Sequence, residues 1–332
     1  MLSLLRLPLG MLAWLGRQGT RAVAALVFIG LALPPLDALL KPYVTEAIFV
    51  LLCIAFLRVE PNLLREQLKR PGIVFAATFW TMVVVPILFG LSGVFVGLDR
   101  SSPDLFLGLM LQAVASPMMA APAFAALRGF DTTLVLVTLV ASTALTSVTA
   151  PLFAWIFIGP ALPLTPLTLG LKLFLILSGS AIVALVLRRL LGPAFILRHK
   201  EPIDGFNVII LFVFVGAVLE NVGTRFIAEP GLMLLLSVLA FSTVLIILVL
   251  TALVFARATA ARAFALGFMA SQRNMGLMLA ATARDLPDLV WLYFALCQFP
   301  IYVLPQLLKP LARRVTRTQG TVATAVPDAA AN

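Results

Sequence analysis

Residues 262–284 read RAFALGFMASQRNMGLMLAATAR, and the centre of that run, Ser271-Gln272-Arg273-Asn274, decides what the chain can be. At ~1.5 Å rise per residue the run is about as long as the ~30 Å hydrocarbon core of a bilayer is thick. Arg273 stands midway between Arg262 and Arg284, too deep for its side chain to reach either interface easily. A guanidinium at bilayer centre costs at least ~2.5–3.5 kcal/mol, and four consecutive polar side chains there are expensive unless they line a cavity enclosed by protein. Such a stretch is expected to break its helix and to serve a site.

A second interruption stands earlier. Residues 104–127 form another apolar run whose centre is Ser116-Pro117-Met118-Met119-Ala120-Ala121-Pro122. Each proline removes a backbone donor and clashes with a preceding carbonyl. Two interrupted apolar segments at matching places in two halves of a chain mark the binding site of a secondary transporter. Helix breaks are therefore assigned to Pro117, Pro122 and Gly276.

Composition agrees. The 332 residues are 62% hydrophobic and 11% charged, against about half and about a quarter in soluble domains. The net charge of +10 does not indicate nucleic acid, because the basic residues lie between apolar runs and at the ends. Cys53 and Cys297 are the only cysteines and His199 the only histidine. That inventory excludes a thiolate metal site, a histidine zinc site and a Ser-His-Asp triad within the membrane. No nucleotide-binding glycine motif occurs. The chain is not expected to be an enzyme, and no cofactor is expected.

Ten transmembrane helices are expected at roughly 23–40, 43–58, 72–97, 104–127, 131–158, 165–187, 204–219, 230–256, 261–283 and 287–308, making an all-α membrane protein. Alternating the loops leaves only Lys41, Arg100, Arg225 and Arg284 on one side and gathers most other Lys and Arg on the opposite one, which puts both termini in the cytoplasm of a multi-pass protein of the bacterial inner membrane. Residues 1–22 hold Arg6, Arg17 and Arg21 around an apolar stretch without a convincing cleavage site, and are expected as a cytoplasmic amphipathic segment on the membrane surface. Residues 313–332 are expected as a disordered cytoplasmic tail.

Landmarks recur. IFVLLCIAFLRVEPNLLREQLKRPGIVFAATF is matched later by VIILFVFVGAVLENVGTRFIAEPGLMLLLSVLAF, and ASPMMAAPAFAALRGFD by ASQRNMGLMLAATARD. Five helices separate the copies, so the second enters the membrane inverted. The expected organisation is a first five-helix repeat over 23–160 and a second over 161–312, with broken helices four and nine crossing. Substrate contact is assigned to Arg273, Asn274, Gln272, Ser271, Gln112, Ser116 and Gln298, since an amide or guanidinium rarely faces lipid. Ser142, Thr143, Thr146 and Ser147 line helix five, where a single hydroxyl more often bonds its own backbone.

With helices four and five (SPMMAAPAFAALRGFDTTLVLVTLVASTALTSVTAPLF) and RNMGL in helix nine, the chain resembles the bile acid:sodium symporter family, within the wider bile/arsenite/riboflavin transporter superfamily, as a divergent bacterial member. The resemblance implies a panel and a core domain, substrate in the cleft between them, and sodium-coupled uptake of organic anions. It implies two sodium ions held by a Glu and a Gln in helix nine and a Ser-Asn pair in helix four. Asn274 and Gly276 match. Arg273 stands where the family has Gln, Met269 where the sodium-ligating Glu belongs, and only Ala120, Ala121, Pro122 and Ala123 near the Ser-Asn pair. No metal site is assigned, with Asn274 left as a neighbour of a sodium position. The expectation is a sodium-independent organic-anion carrier with Arg273 as its fixed midplane cation. The alternatives are a sodium-coupled bile-acid-type symporter and a non-transporting sensor or scaffold of the same fold. An arsenite carrier is disfavoured because the crossover lacks a cysteine. The expected partners are the small organic anion and the lipid bilayer.

Overall fold

The structure, a computed structural model, describes residues 2–18, 39–59, 71–127, 129–159, 164–219, 221–282 and 286–315, together with residues 25 and 162. The expected segment 23–40 lies almost wholly outside the described residues, as do the 60–70 connection, Arg128, Arg284 and residues 316–332 of the expected tail.

Among the described residues helix is nearly continuous, and the one extended pairing is an isolated bridge between Pro117 and Arg273. In chain order the elements are α1 (Leu2–Gln18), α2 (Val44–Leu57) and α3 (Pro71–Phe95). Then come α4a (Pro103–Val114), α4b (Ala121–Leu127), α5 (Thr132–Phe157), α6 (Pro166–Leu191), α7 (Lys200–Val218) and α8 (Pro230–Val254). The last are α9a (Ala260–Ser271), α9b (Met275–Thr282) and α10 (Asp288–Leu307), followed by helical residues 309–315. Among the described residues, six spans are long and apolar enough to cross a membrane: α3, α5, α6, the span Lys200–Ala228 that contains α7, α8 and α10. The protein is a multi-pass membrane protein.

Local chemistry sets the helix starts. Asp131, Thr165 and Thr259 each accept a backbone N–H in the first turn of α5, α6 and α9a, from Leu134 at 3.0 Å and from Thr168 and Arg262 at 3.2 Å. Prolines open α6 and α8, where a missing N–H costs nothing. Burial is inverted relative to a soluble protein. Leu167, Leu190, Leu234 and Leu253 turn outward while Gln112, Thr138, Gln272 and Arg273 are buried. This is what lipid demands, since an apolar face costs nothing there and a polar side chain must face protein. Small residues let helices approach: a Cβ on Gly267 of α9a would sit 2.7 Å from the Leu248 carbonyl oxygen of α8, and one on Gly170 of α6 would sit 2.9 Å from that of Ser147 on α5.

Most buried apolar side chains fall in a larger cluster and a smaller one at different depths, with a minor third group of Val85, Ile247 and Ala270 joining α3, α8 and α9a. The smaller one joins the first parts of α3 and α5 and the length of α9a with α4b, through Val74, Ala77, Ala121, Leu134, Phe264 and Met269. The larger one runs through α2, α4a, α6, α9b and α10. Ion pairs join helix ends from the same expected side: Arg17 to Glu201 at 2.9 Å, Arg58 to Asp204 at 2.5 Å and Arg262 to Asp131 at 3.2 Å on one, Arg225 to Glu229 and to Asp288 on the other. Exposed pairs of this kind contribute little stability, about 0–1 kcal/mol each. Their value is that the two zones stay apart.

The segment expected to be amphipathic over 1–22 is helical as α1, and its partner is α7, along which it packs antiparallel. Two glycines make the approach possible. A Cβ on Gly205 would stand 1.8 Å from the Leu12 carbonyl oxygen, and one on Gly16 would stand 2.2 Å from that of Glu201. Neither neighbour is a side chain that can turn away. Gly205→Leu is therefore expected to separate α1 from α7 at a cost of about 1–3 kcal/mol or more, read as a lower melting temperature of the detergent-solubilised protein. Gly10→Ala, with nothing within 4 Å of the new Cβ, should not lower it; equal behaviour of the two variants would refute the close contact.

Candidate functional site: the crossing of two broken helices

α4a stops because Ala115 turns extended (φ −62°, ψ 147°) and Pro117 has no N–H to continue the ladder. α9a stops because Gln272 turns extended (φ −84°, ψ 95°). The two unwound stretches then satisfy each other. Met118 N–H donates to the Gln272 carbonyl at 2.7 Å, and Asn274 N–H donates to the Ser116 carbonyl at 2.7 Å. Backbone groups orphaned by each break thus find partners in the other, as a water-free interior requires.

Arg273 sits at this crossing with 1% of its surface exposed. Its Nη1 donates to the Ala115 carbonyl at 2.9 Å and the Thr81 carbonyl at 3.2 Å, and its Nη2 to the Thr81 carbonyl at 3.2 Å. Ala115 supplies a carbonyl freed by the break in helix four. The Thr81 carbonyl is free for a different reason. α3 widens into a π turn over Trp80–Val84, and the Val85 N–H, which would bond Thr81 in an α-helix, bonds Trp80 instead. The next donor in line would be residue 86, which is Pro86. Thr81 is left with no backbone donor, and the guanidinium supplies one. Trp80 fixes this turn against α8 through Nε1–H to Thr251 Oγ1 at 2.9 Å. Among the described residues no carboxylate pairs with Arg273.

The assigned residues divide into three groups. Ser116, Pro117, Ser271, Gln272, Arg273 and Asn274 come together at the crossing. Ser271 Oγ is returned to its own helix, donating to the Phe268 carbonyl at 2.9 Å, while Ser116 Oγ and both amide atoms of Gln272 have no protein partner. Asn274 acts as the cap of α9b, its Oδ1 accepting Leu277 N–H at 3.1 Å. Pro122 and Gly276, assigned as breaks, lie in the first turn of α4b and α9b, just past the unwound backbone; there a proline starts a helix and does not break one. The third group is already occupied. Gln112 Oε1 accepts from Tyr293 Oη at 2.5 Å and from Thr243 Oγ1 at 3.3 Å, joining α4a, α10 and α8. Gln298 Nε2 donates to the Phe294 carbonyl of its own helix at 3.2 Å.

Sequence reasoning missed the Thr81 carbonyl and the Gln112 partners. Pro86 inside an apolar helix was the available signal for the first. The second had none, because Tyr293 and Thr243 meet Gln112 only through tertiary packing. Gly108 makes room for the tyrosine: a Cβ there would be 3.1 Å from its ring. Tyr293→Phe is expected to cost about 1–2 kcal/mol and to lower the melting temperature of the solubilised protein. An unchanged transition would mean that the buried network contributes nothing.

The model of the Sodium Bile acid symporter family matches residues 45–229, from α2 to the start of α8. A search of curated proteins finds no match.

Proposed function

The chain belongs to the sodium bile acid symporter family, a family of membrane transporters, and from that premise we propose that it is a secondary carrier of a small organic anion that works without sodium. Arg273 would be its fixed cation. The observation that carries this reading is the guanidinium at the crossing, bonded to carbonyl oxygens of Thr81 and Ala115 from two different helices. Convergent carbonyl oxygens between broken helices are the environment in which transporters hold a coupling cation. Here a covalently attached cation fills that position, and Met269 offers no carboxylate for a mobile one.

A buried charge of this kind acts over a distance. In a low-dielectric interior its potential is screened far less than at a surface, so it attracts an anion entering a neighbouring cleft. The substrate gains most where water is excluded, and alternating access then exposes it to either side. Ten helices in a five-plus-five inverted repeat, with both termini in the cytoplasm of a bacterial inner membrane, complete the proposal. The lengths of the broken helices support the repeat: α4a and α9a each have 12 residues before the break. So does the recurrence of Pro-Gly at the start of α3 and α8.

The test is uptake of radiolabelled organic anions into liposomes containing the purified protein. Uptake should be equal in sodium and potassium media and fall by tenfold or more in Arg273→Gln, with Arg273→Lys retaining part of it because the charge remains. Uptake that rises steeply with sodium, or that survives Arg273→Gln, would sink the proposal.

A further inference from the structure

The smaller apolar cluster ends one helical turn deeper in a layer of polar side chains. On α3 it contains Val74 and Ala77, and a turn further on stand Thr78 and Thr81. On α5 it contains Leu134 and Leu139, followed a turn later by Thr138 and Thr143 with Ser142 beside them. On α9a it contains Met269, followed by Gln272 and Arg273. Of its α4b members, Ala121 and Ala125, the first adjoins the unwound stretch that holds Ser116. α5 packs against α3, its π turn and α9a, so the layer is continuous across these helices.

Every polar residue of the layer is at most 6% exposed. Yet the hydroxyls of Thr78, Thr81, Ser116, Thr138, Ser142 and Thr143, both amide atoms of Gln272 and Nε of Arg273 have no hydrogen-bond partner within the protein. Buried polar groups are paired in the great majority of cases, and isolated exceptions each call for an explanation. So many at similar depth, on α3, α5, α9a and the unwound stretch of α4, point to a ligand. Hydroxyls and the amide can donate or accept, but the guanidinium Nε–H can only donate. No described carboxylate balances its charge, and an uncompensated charge in a water-poor interior is costly.

We propose that, in the absence of organic substrate, this layer binds a small inorganic monovalent anion of the halide class as the counter-ion of Arg273. The anion would take hydrogen bonds from Arg273 Nε–H, from the Gln272 amide and from hydroxyls of α5. A cation at the same place would meet the guanidinium's repulsion with no carboxylate to offset it. The inference rests on the placement of Arg273 and its neighbours and not on the transport of organic anions.

The experiment uses the purified full-length protein in detergent with no organic substrate. Binding of radiolabelled chloride and the melting temperature are measured in choline chloride, choline bromide, choline gluconate and sodium gluconate. Saturable chloride binding is expected, with a melting temperature that rises with chloride or bromide and ignores sodium. Ser142→Ala, a small change expected to fold, should weaken halide affinity about tenfold or more, since a hydrogen bond to a charged group is worth ~1.5–3 kcal/mol. Gln272→Glu supplies a carboxylate to the layer and should make stability independent of halide. The proposal is overturned if no saturable halide binding is found, if stabilisation follows sodium with any anion, or if both variants bind chloride as the parent does. Halide binding that persists in a preparation without organic-anion uptake would separate the failure of the transport proposal from the failure of this one.

Discussion

Two backbone hydrogen bonds, from Met118 to Gln272 and from Asn274 to Ser116, set the terms for the rest of the molecule. Lipid offers no partners to a broken helix, and a single unwound segment at mid-depth would leave several donors and acceptors bare. Two breaks at the same depth can serve one another, provided that the segments cross in register. That requirement explains why α4 and α9 are interrupted together. The remaining deficit, at Ala115 and Thr81, is met by the one side chain able to reach two carbonyls at once. A lysine, with its compact ammonium, could not reproduce that planar fork.

Depth orders the interior. An apolar cluster on one side and a larger one on the other leave between them a belt in which α3, α5 and the breaks of α4 and α9 place buried polar side chains. The belt coincides with the π turn of α3, the breaks of α4 and α9 and the hydroxyl-rich middle of α5. In a soluble protein such a layer would sit at the surface. Here the surface at this depth is hydrocarbon, so polar groups are driven inward and the chain must satisfy them among themselves or with a ligand. The buried guanidinium belongs to this arrangement, in which the protein concentrates its polar atoms where its helices break.

Much of this was legible in the sequence. Proline, glycine and charge placement located most helix ends within a few residues, because those residues act locally through missing donors, positive φ and interfacial attraction. Ser116-Pro117 and Gln272-Arg273 marked the two breaks for the same local reason. What stayed hidden was tertiary. The expectation that Gln112 and Gln298 line a cavity rested on amides avoiding lipid. That premise holds, but Tyr293 and Thr243 engage the oxygen of one amide inside the helix packing and a main-chain carbonyl engages the nitrogen of the other. Hydrophobic periodicity cannot reveal which buried partner a polar atom finds. Nor could it reveal that α1 has a dedicated groove on α7, since glycine at 16 and 205 is ordinary until the two are seen face to face.

That contact bears on how the protein is made. Arg17 and Glu201 lie 184 positions apart in the chain, so α1 leaves the ribosome long before its partner exists. At ~5–20 residues per second the interval is on the order of ten seconds or more. During it the helix, apolar and without its groove, has only the bilayer interface or a chaperone to cover it. α1 can therefore pack in its final place only after α7 (Lys200–Val218) has been made, and its docking couples the two halves of the chain.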